Sequence, residues 1–135
     1  MKRVIIIIGA SLVIIFICAV AIIMVSINRG VKERISIAQE KYQGNAEDAL
    51  IAYLSDTTNS PWDRTDVAIW TLGQIQSQKA LPILKEMYNS DPEGKTCHGR
   101  HDKVLCQYGI YKAIRAIESN WWPLHPELNK LSFSF

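Results

Sequence analysis

The densest group of chemically capable side chains in this chain is the stretch CHGRHDKVLC, which places Cys97, His98, His101 and Cys106 within ten residues. Thiolate sulfur and imidazole nitrogen are the ligands that zinc selects, and a zinc site needs four of them to converge. An adjacent Cys97-His98 pair and an eight-residue gap between the cysteines fit no common zinc module. The same two cysteines can instead bridge, and a Cys97–Cys106 disulfide would tie down a long loop in an oxidising compartment. A third reading makes Cys106 a small buried residue on a helical face and Cys97 a loop residue. The bridge is the preferred reading, with no metal ligand, cofactor or cofactor-binding residue expected. Nucleophilic catalysis by either cysteine lacks a third group to orient a histidine base. There is no G-x-S-x-G, no phosphate-cradling glycine loop and no H-E-x-x-H, so no catalytic residue and no enzymatic activity is expected.

Four tryptophans supply the other chemistry, which is that of contact area. Trp70 lies off the strict apolar stripe of its helix and is expected to pack against Tyr111. Trp62, Trp121 and Trp122 are the candidates for binding another protein, although the last two have the simpler use of folding back as a cap. Carboxylate pairs such as Glu47-Asp48 are explained by their place in the first turn of a helix, where they offset the helix dipole.

The elements that must position these residues are helices. After Asn45, a good N-cap, Ala46, Ala49, Leu50, Tyr53 and Leu54 make one apolar stripe. Ser60-Pro61-Trp62-Asp63 starts a further helix, with Ser60 as cap and Pro61 at the first helical position, and its stripe is Ala68, Ile69, Leu72 and Ile75. Ala80, Ile83, Leu84, Met87 and Tyr88 define the next, with Pro82 in its opening turns. The segment from Asn89 to His101 reads as the longest loop. A last helix is predicted from about Lys103 to Glu118, with Cys106, Ile110, Ala113, Ile114 and Ile117 on one face, followed by an extended tail.

Ahead of these helices, Val4 to Ile27 is 24 residues without a charged side chain. A helix of that length reaches about 36 Å, more than the roughly 30 Å hydrocarbon core of a bilayer. Met1-Lys2-Arg3 and Ala19-Val20-Ala21 also fit a cleaved signal peptide, but the chain stays apolar after Ala21, which favours an uncleaved anchor. Val31, Ile35, Ala38 and Tyr42 continue the helical period beyond it, predicting a stalk that rises from the membrane. Lys2 and Arg3 before the span and Arg29, Lys32 and Arg34 after it leave the charge rule nearly balanced. The short basic N-terminus places itself in the cytoplasm and the following domain outside it. From residue 28 onward 13 basic and 13 acidic residues cancel, so nothing draws this part to nucleic acid, and no small-molecule substrate is evident.

Ala49-Leu50 and Ala80-Leu81 match at a spacing of 31, and Ala68-Ile69-Trp70 and Gly109-Ile110-Tyr111 at 41, which is a weak internal repeat. Leu72-Gly73-Gln74-Ile75 followed by Ala80-Leu81-Pro82-Ile83-Leu84 resembles HEAT repeats of the phycobilisome-lyase type, over roughly residues 46 to 118. The second unit departs from the pattern, because Ile114-Arg115-Ala116-Ile117 lacks the glycine. The resemblance implies an all-α domain of two antiparallel helix pairs stacked as a short solenoid, a scaffold that binds other proteins and does not itself imply lyase chemistry. The organisation read from the sequence is then an anchor at 1–28, a stalk at 29–44, the repeat domain at 45–120 and a tail at 121–135. The function expected is a membrane-anchored interaction or assembly scaffold. The alternative is an accessory factor that binds metal or exchanges thiols through the Cys97 to Cys106 segment.

Overall fold

Leucine, isoleucine and alanine recurring every three to four residues produce helices throughout, and every regular element among the described residues is helical. The computed structural model describes residues 2–119, and side chains for residue 9 and residues 11–119. Helix α1 is Lys2–Lys41, α2 Ala46–Ser55, α3 Pro61–Asp63, α4 Trp70–Gln74, α5 Leu81–Met87 and α6 Gln107–Ser119. A π-helical stretch, Arg64–Ile69, joins α3 to α4, and a 3₁₀ turn, Lys95–Cys97, lies in the long loop before α6.

The chain divides into two compact units, Met1–Lys32 and Glu33–Phe135. In the first, α1 from Ser11 onward is long and apolar enough to cross a membrane. Its large apolar side chains face outward, with Phe16 70% and Ile22 67% exposed, which water would penalise and lipid would not.

The second unit takes in the last turns of α1, so the division falls inside the segment read from sequence as a stalk. Ile35 and Ala38 are buried there. Arg34 donates to the Asp66 carboxylate at 2.9 Å and to the Asp66 carbonyl at 3.1 Å, and the Lys41 ammonium donates to Asn59 Oδ1. The Tyr42 ring meets Tyr53 edge-on at 5.8 Å, and its hydroxyl donates to the Asp56 carboxylate. Apolar period and polar partners together make residues 33–42 a packing element of this unit.

Both predicted caps form. Asn45 Oδ1 accepts the Asp48 amide at 2.9 Å, and Ser60 Oγ accepts that of Asp63 at 3.1 Å, with Pro61 in the first turn. α2 packs on the π-helical stretch and α4, α4 packs on α6, and α6 on α5. The core between them holds Leu50, Leu54, Ile69, Leu72, Leu84, Ile110 and Ile117, all 2% exposed or less. Full burial of each such side chain contributes roughly 1.5–3 kcal/mol before chain entropy is set against it.

The last helix begins later than the apolar period suggests, at Gln107 instead of about Lys103. Lys103 and Val104 both donate backbone hydrogen bonds to the Arg100 carbonyl, a turn that continues the loop. Cys106 lies at disulfide distance from Cys97, and the Gln107 side chain bridges back, accepting from the Asn89 amide at 2.7 Å and donating to the Met87 carbonyl at 3.3 Å. These attachments hold the incoming chain against the end of α5 and leave helical geometry to start after them.

Candidate functional site

Where the π-helical stretch and α4 run beside α6, small residues bring the backbones together. A Cβ on Gly73 would lie 3.0 Å from the Ala113 Cα, and one on Gly109 would lie 3.1 Å from Thr65 Cγ2. Larger side chains flank this close approach and cannot enter it, so they stand along its edges. The result is an open groove of about 310 Å³, with Trp62, Asp66 and Trp70 on one side and His101, Tyr108 and Lys112 on the other.

The π-helical stretch explains why two tryptophans share this groove. Trp62 and Trp70 are eight residues apart. In an ordinary α-helix they would differ by about 80° around the axis, whereas a π turn absorbs one extra residue and brings them within about 20°. The Trp70 amide accordingly donates to the Thr65 carbonyl five residues back. Thr65 helps to make the irregularity, since its hydroxyl donates to the Pro61 carbonyl at 2.8 Å and competes for the local backbone. Arg64 reaches out of the same turns to the Leu54 carbonyl at 2.7 Å, pinning the stretch to α2.

Aromatic and cationic groups then order the walls. The Arg34 guanidinium sits 4.5 Å from the centre of the Trp70 ring while it holds Asp66, fixing two of the three residues of that wall. Lys112 lies 4.6 Å over the Tyr108 ring. Trp62 meets the His101 ring edge-on at 5.7 Å and remains 54% exposed. Trp70 does not pair with Tyr111 as the repeat spacing suggested. Tyr111 faces Tyr88 at 6.1 Å, because the π turn rotates Trp70 toward the groove.

The cysteine segment meets the groove at one end. Cys97 and Cys106 lie at disulfide distance, with Cα atoms 5.0 Å apart, and both are buried. Ligating atoms of Cys97, His101 and Cys106 all lie within 4.8 Å of one another, while His98 is outside that group. Asp91 organises the loop that carries Cys97. Its carboxylate accepts the Lys95 amide at 3.1 Å, the Thr96 amide at 2.8 Å and the Thr96 hydroxyl at 2.6 Å. The Thr96 hydroxyl and these amides hold the Asp91 carboxyl below the usual carboxylate range.

Of the residues read as protein-binding, Trp62 lines the groove, and Trp121 and Trp122 lie outside the described residues. Sequence reasoning missed Asp66, Tyr108 and Lys112, whose common surface depends on the π turn and on where the last helix begins. The glycine and alanine at 73 and 113 were the available signal for a close crossing between the two helices. No protein-family model, no curated protein and no solved structure matches this chain.

Proposed function

We propose that this protein is a single-pass membrane scaffold whose helical domain binds another protein through the groove between α4 and α6. The observation that carries the reading is the aromatic wall of that groove, with an exposed Trp62 beside Trp70, Tyr108 and Lys112. Tryptophan, tyrosine and a long cation are the side chains that anchor protein interfaces, because they offer large contact areas together with a polar handle. The stacking order α2, α4, α6, α5 suits a short HEAT-like solenoid, in which each helix pair buries its apolar stripe against the next. In this reading the N-terminus is cytoplasmic, α1 crosses the bilayer and the domain stands outside the cytoplasm. The Cys97–Cys106 pairing suits an oxidising side of the membrane.

A photo-crosslinking residue at position 62 of the full-length protein in native membranes tests the scaffold reading. One defined protein adduct is expected, abolished when Tyr108→Ala and Lys112→Ala remove the opposite wall. A protein that yields no adduct and leaves mild detergent alone and monomeric would overturn it. A reporter fused after Phe135 that is active only in the cytoplasm would reverse the assigned sidedness.

A further inference from the structure

The bridge between Cys97 and Cys106 uses only two of three clustered donors, and the third gives the cluster a second chemistry. We propose that in the dithiol state Cys97, His101 and Cys106 form a zinc-class metal site whose fourth position opens onto the groove.

Tetrahedral zinc with bonds of about 2.3 Å to sulfur and about 2.0 Å to nitrogen sets its ligand atoms roughly 3.5–3.8 Å apart. The three donors lie within 4.8 Å of one another with the cysteines paired, so once the bridge opens the two sulfurs part and side-chain rotations bring all three round an ion. The donors arrive on separate pieces of backbone that other contacts position. Cys97 ends the 3₁₀ turn, which the Asp91 carboxylate holds through Lys95 and Thr96 independently of the bridge. Cys106 immediately precedes α6. His101 lies against the edge of Trp62, which restricts its ring. Burial of both cysteines shields the two sulfurs from solvent, while His101 and Cys106 border the groove. The remaining coordination position is thus left for water or for a donor group carried by the occupant of the groove. Three protein ligands with an open fourth position is the arrangement of reactive rather than purely structural zinc.

The conversion balances as a thiol–disulfide exchange followed by metal binding. A dithiol reductant loses two electrons and two protons to the Cys97–Cys106 bond and becomes a cyclic disulfide, leaving two thiols. A divalent ion then displaces one proton from each thiol, and two thiolates with a neutral His101 give an uncharged complex.

The test titrates Co²⁺ into full-length protein in detergent micelles, after reduction with a dithiol and removal of the reductant under nitrogen. Reduced protein is expected to bind one Co²⁺ with thiolate charge-transfer absorption and tetrahedral d–d bands, and Zn²⁺ should displace it. Oxidised protein should give neither band. His101→Ala should weaken binding at least about tenfold, given that losing even an outer partner of a ligand costs that much. His98→Ala should leave binding unchanged, and circular dichroism of each variant shows that the helices remain. Absence of the bands in reduced, helical protein overturns the site. So does His101→Ala that binds as tightly as the parent, or a loss that follows His98 instead.

Discussion

The backbone of Gly73 in α4 runs so close to Ala113 in α6 that a Cβ at residue 73 would lie 3.0 Å from the Ala113 Cα and 3.1 Å from its Cβ. Glycine is the weakest helix former after proline, and this contact accounts for its place in the last turn of α4. Gly73→Ala gains about 1 kcal/mol of helix propensity and spends it against a backbone that must move. The sharper test is Gly73→Val, which should cost about 1–3 kcal/mol by forcing the helices apart. A lowered unfolding midpoint in circular dichroism checks it, and an unchanged midpoint would mean that the two helices do not meet here.

Gly94 is constrained twice. Its φ is +67°, and a Cβ would meet the Tyr108 Cβ at 2.8 Å and Cys97 Sγ at 3.3 Å. A left-handed conformation costs other residues about 1–2 kcal/mol before any clash is counted. Gly94→Ala should therefore loosen the loop that presents Cys97 and lower stability by about 2 kcal/mol or more. Hydrogen exchange should rise at residues 94–97, and the Cys97–Cys106 bond should be reduced faster than in the parent.

These two glycines show which parts of the structure could be read from sequence. Caps at Asn45 and Ser60 and the stripes of the helices they open are local rules, and they hold because capping and periodicity need only a few neighbouring residues. The proximity of Cys97 and Cys106 was legible for the same reason, since nine positions separate them. The groove was not legible, because it depends on one extra residue in a helical turn. Thr65 carries no signal that distinguishes a π turn from an α turn, yet that turn decides whether Trp70 faces Tyr111 or the groove. Arg34 was equally hidden. Its partner Asp66 is 32 residues away, and only the folded chain puts the guanidinium over Trp70.

The Tyr42 hydroxyl donates to the Asp56 carboxylate, and Thr58 adds a backbone amide at 2.8 Å. The Tyr42 bond first and the Thr58 contacts next hold the Asp56 carboxyl well below its usual range. A carboxylate whose folded pKa is depressed contributes stability that is present above the unfolded pKa and is lost as pH falls through it toward the folded value. Stability should thus be steady near neutrality and decline below about pH 4. Asp56→Asn and Tyr42→Phe should each flatten part of that decline, with Asp91 supplying a further share in the same direction. Chemical denaturation across pH 2.5–7 measures it, and parallel curves for parent and Asp56→Asn would dismiss the linkage.

Bridging Cys97 to Cys106 closes a loop with a sequence separation of 9. The chain-entropy relation gives about 2–3 kcal/mol for a loop of that size. Cys97→Ser with Cys106→Ser should lower the unfolding midpoint accordingly and raise hydrogen exchange across residues 98–105. The cap contact at Asn45 should stay protected, since α2 packs on the π-helical stretch and α4, whereas the start at Ser60 meets the loop through Trp62 and His101.

Trp62 separates binding from stability. With 54% of its surface exposed, it adds little to the core, so Trp62→Ala should shift the unfolding midpoint by less than about 1 kcal/mol. At the centre of an interface the same truncation should weaken partner binding by about 2 kcal/mol or more, roughly thirtyfold. Ile69→Ala serves as the contrasting variant, because that side chain is fully buried and its loss should cost about 2–5 kcal/mol of stability. Affinity and unfolding measured on the same preparations distinguish the two. A Trp62→Ala protein that binds its crosslinked partner as tightly as the parent would remove the groove from the interface.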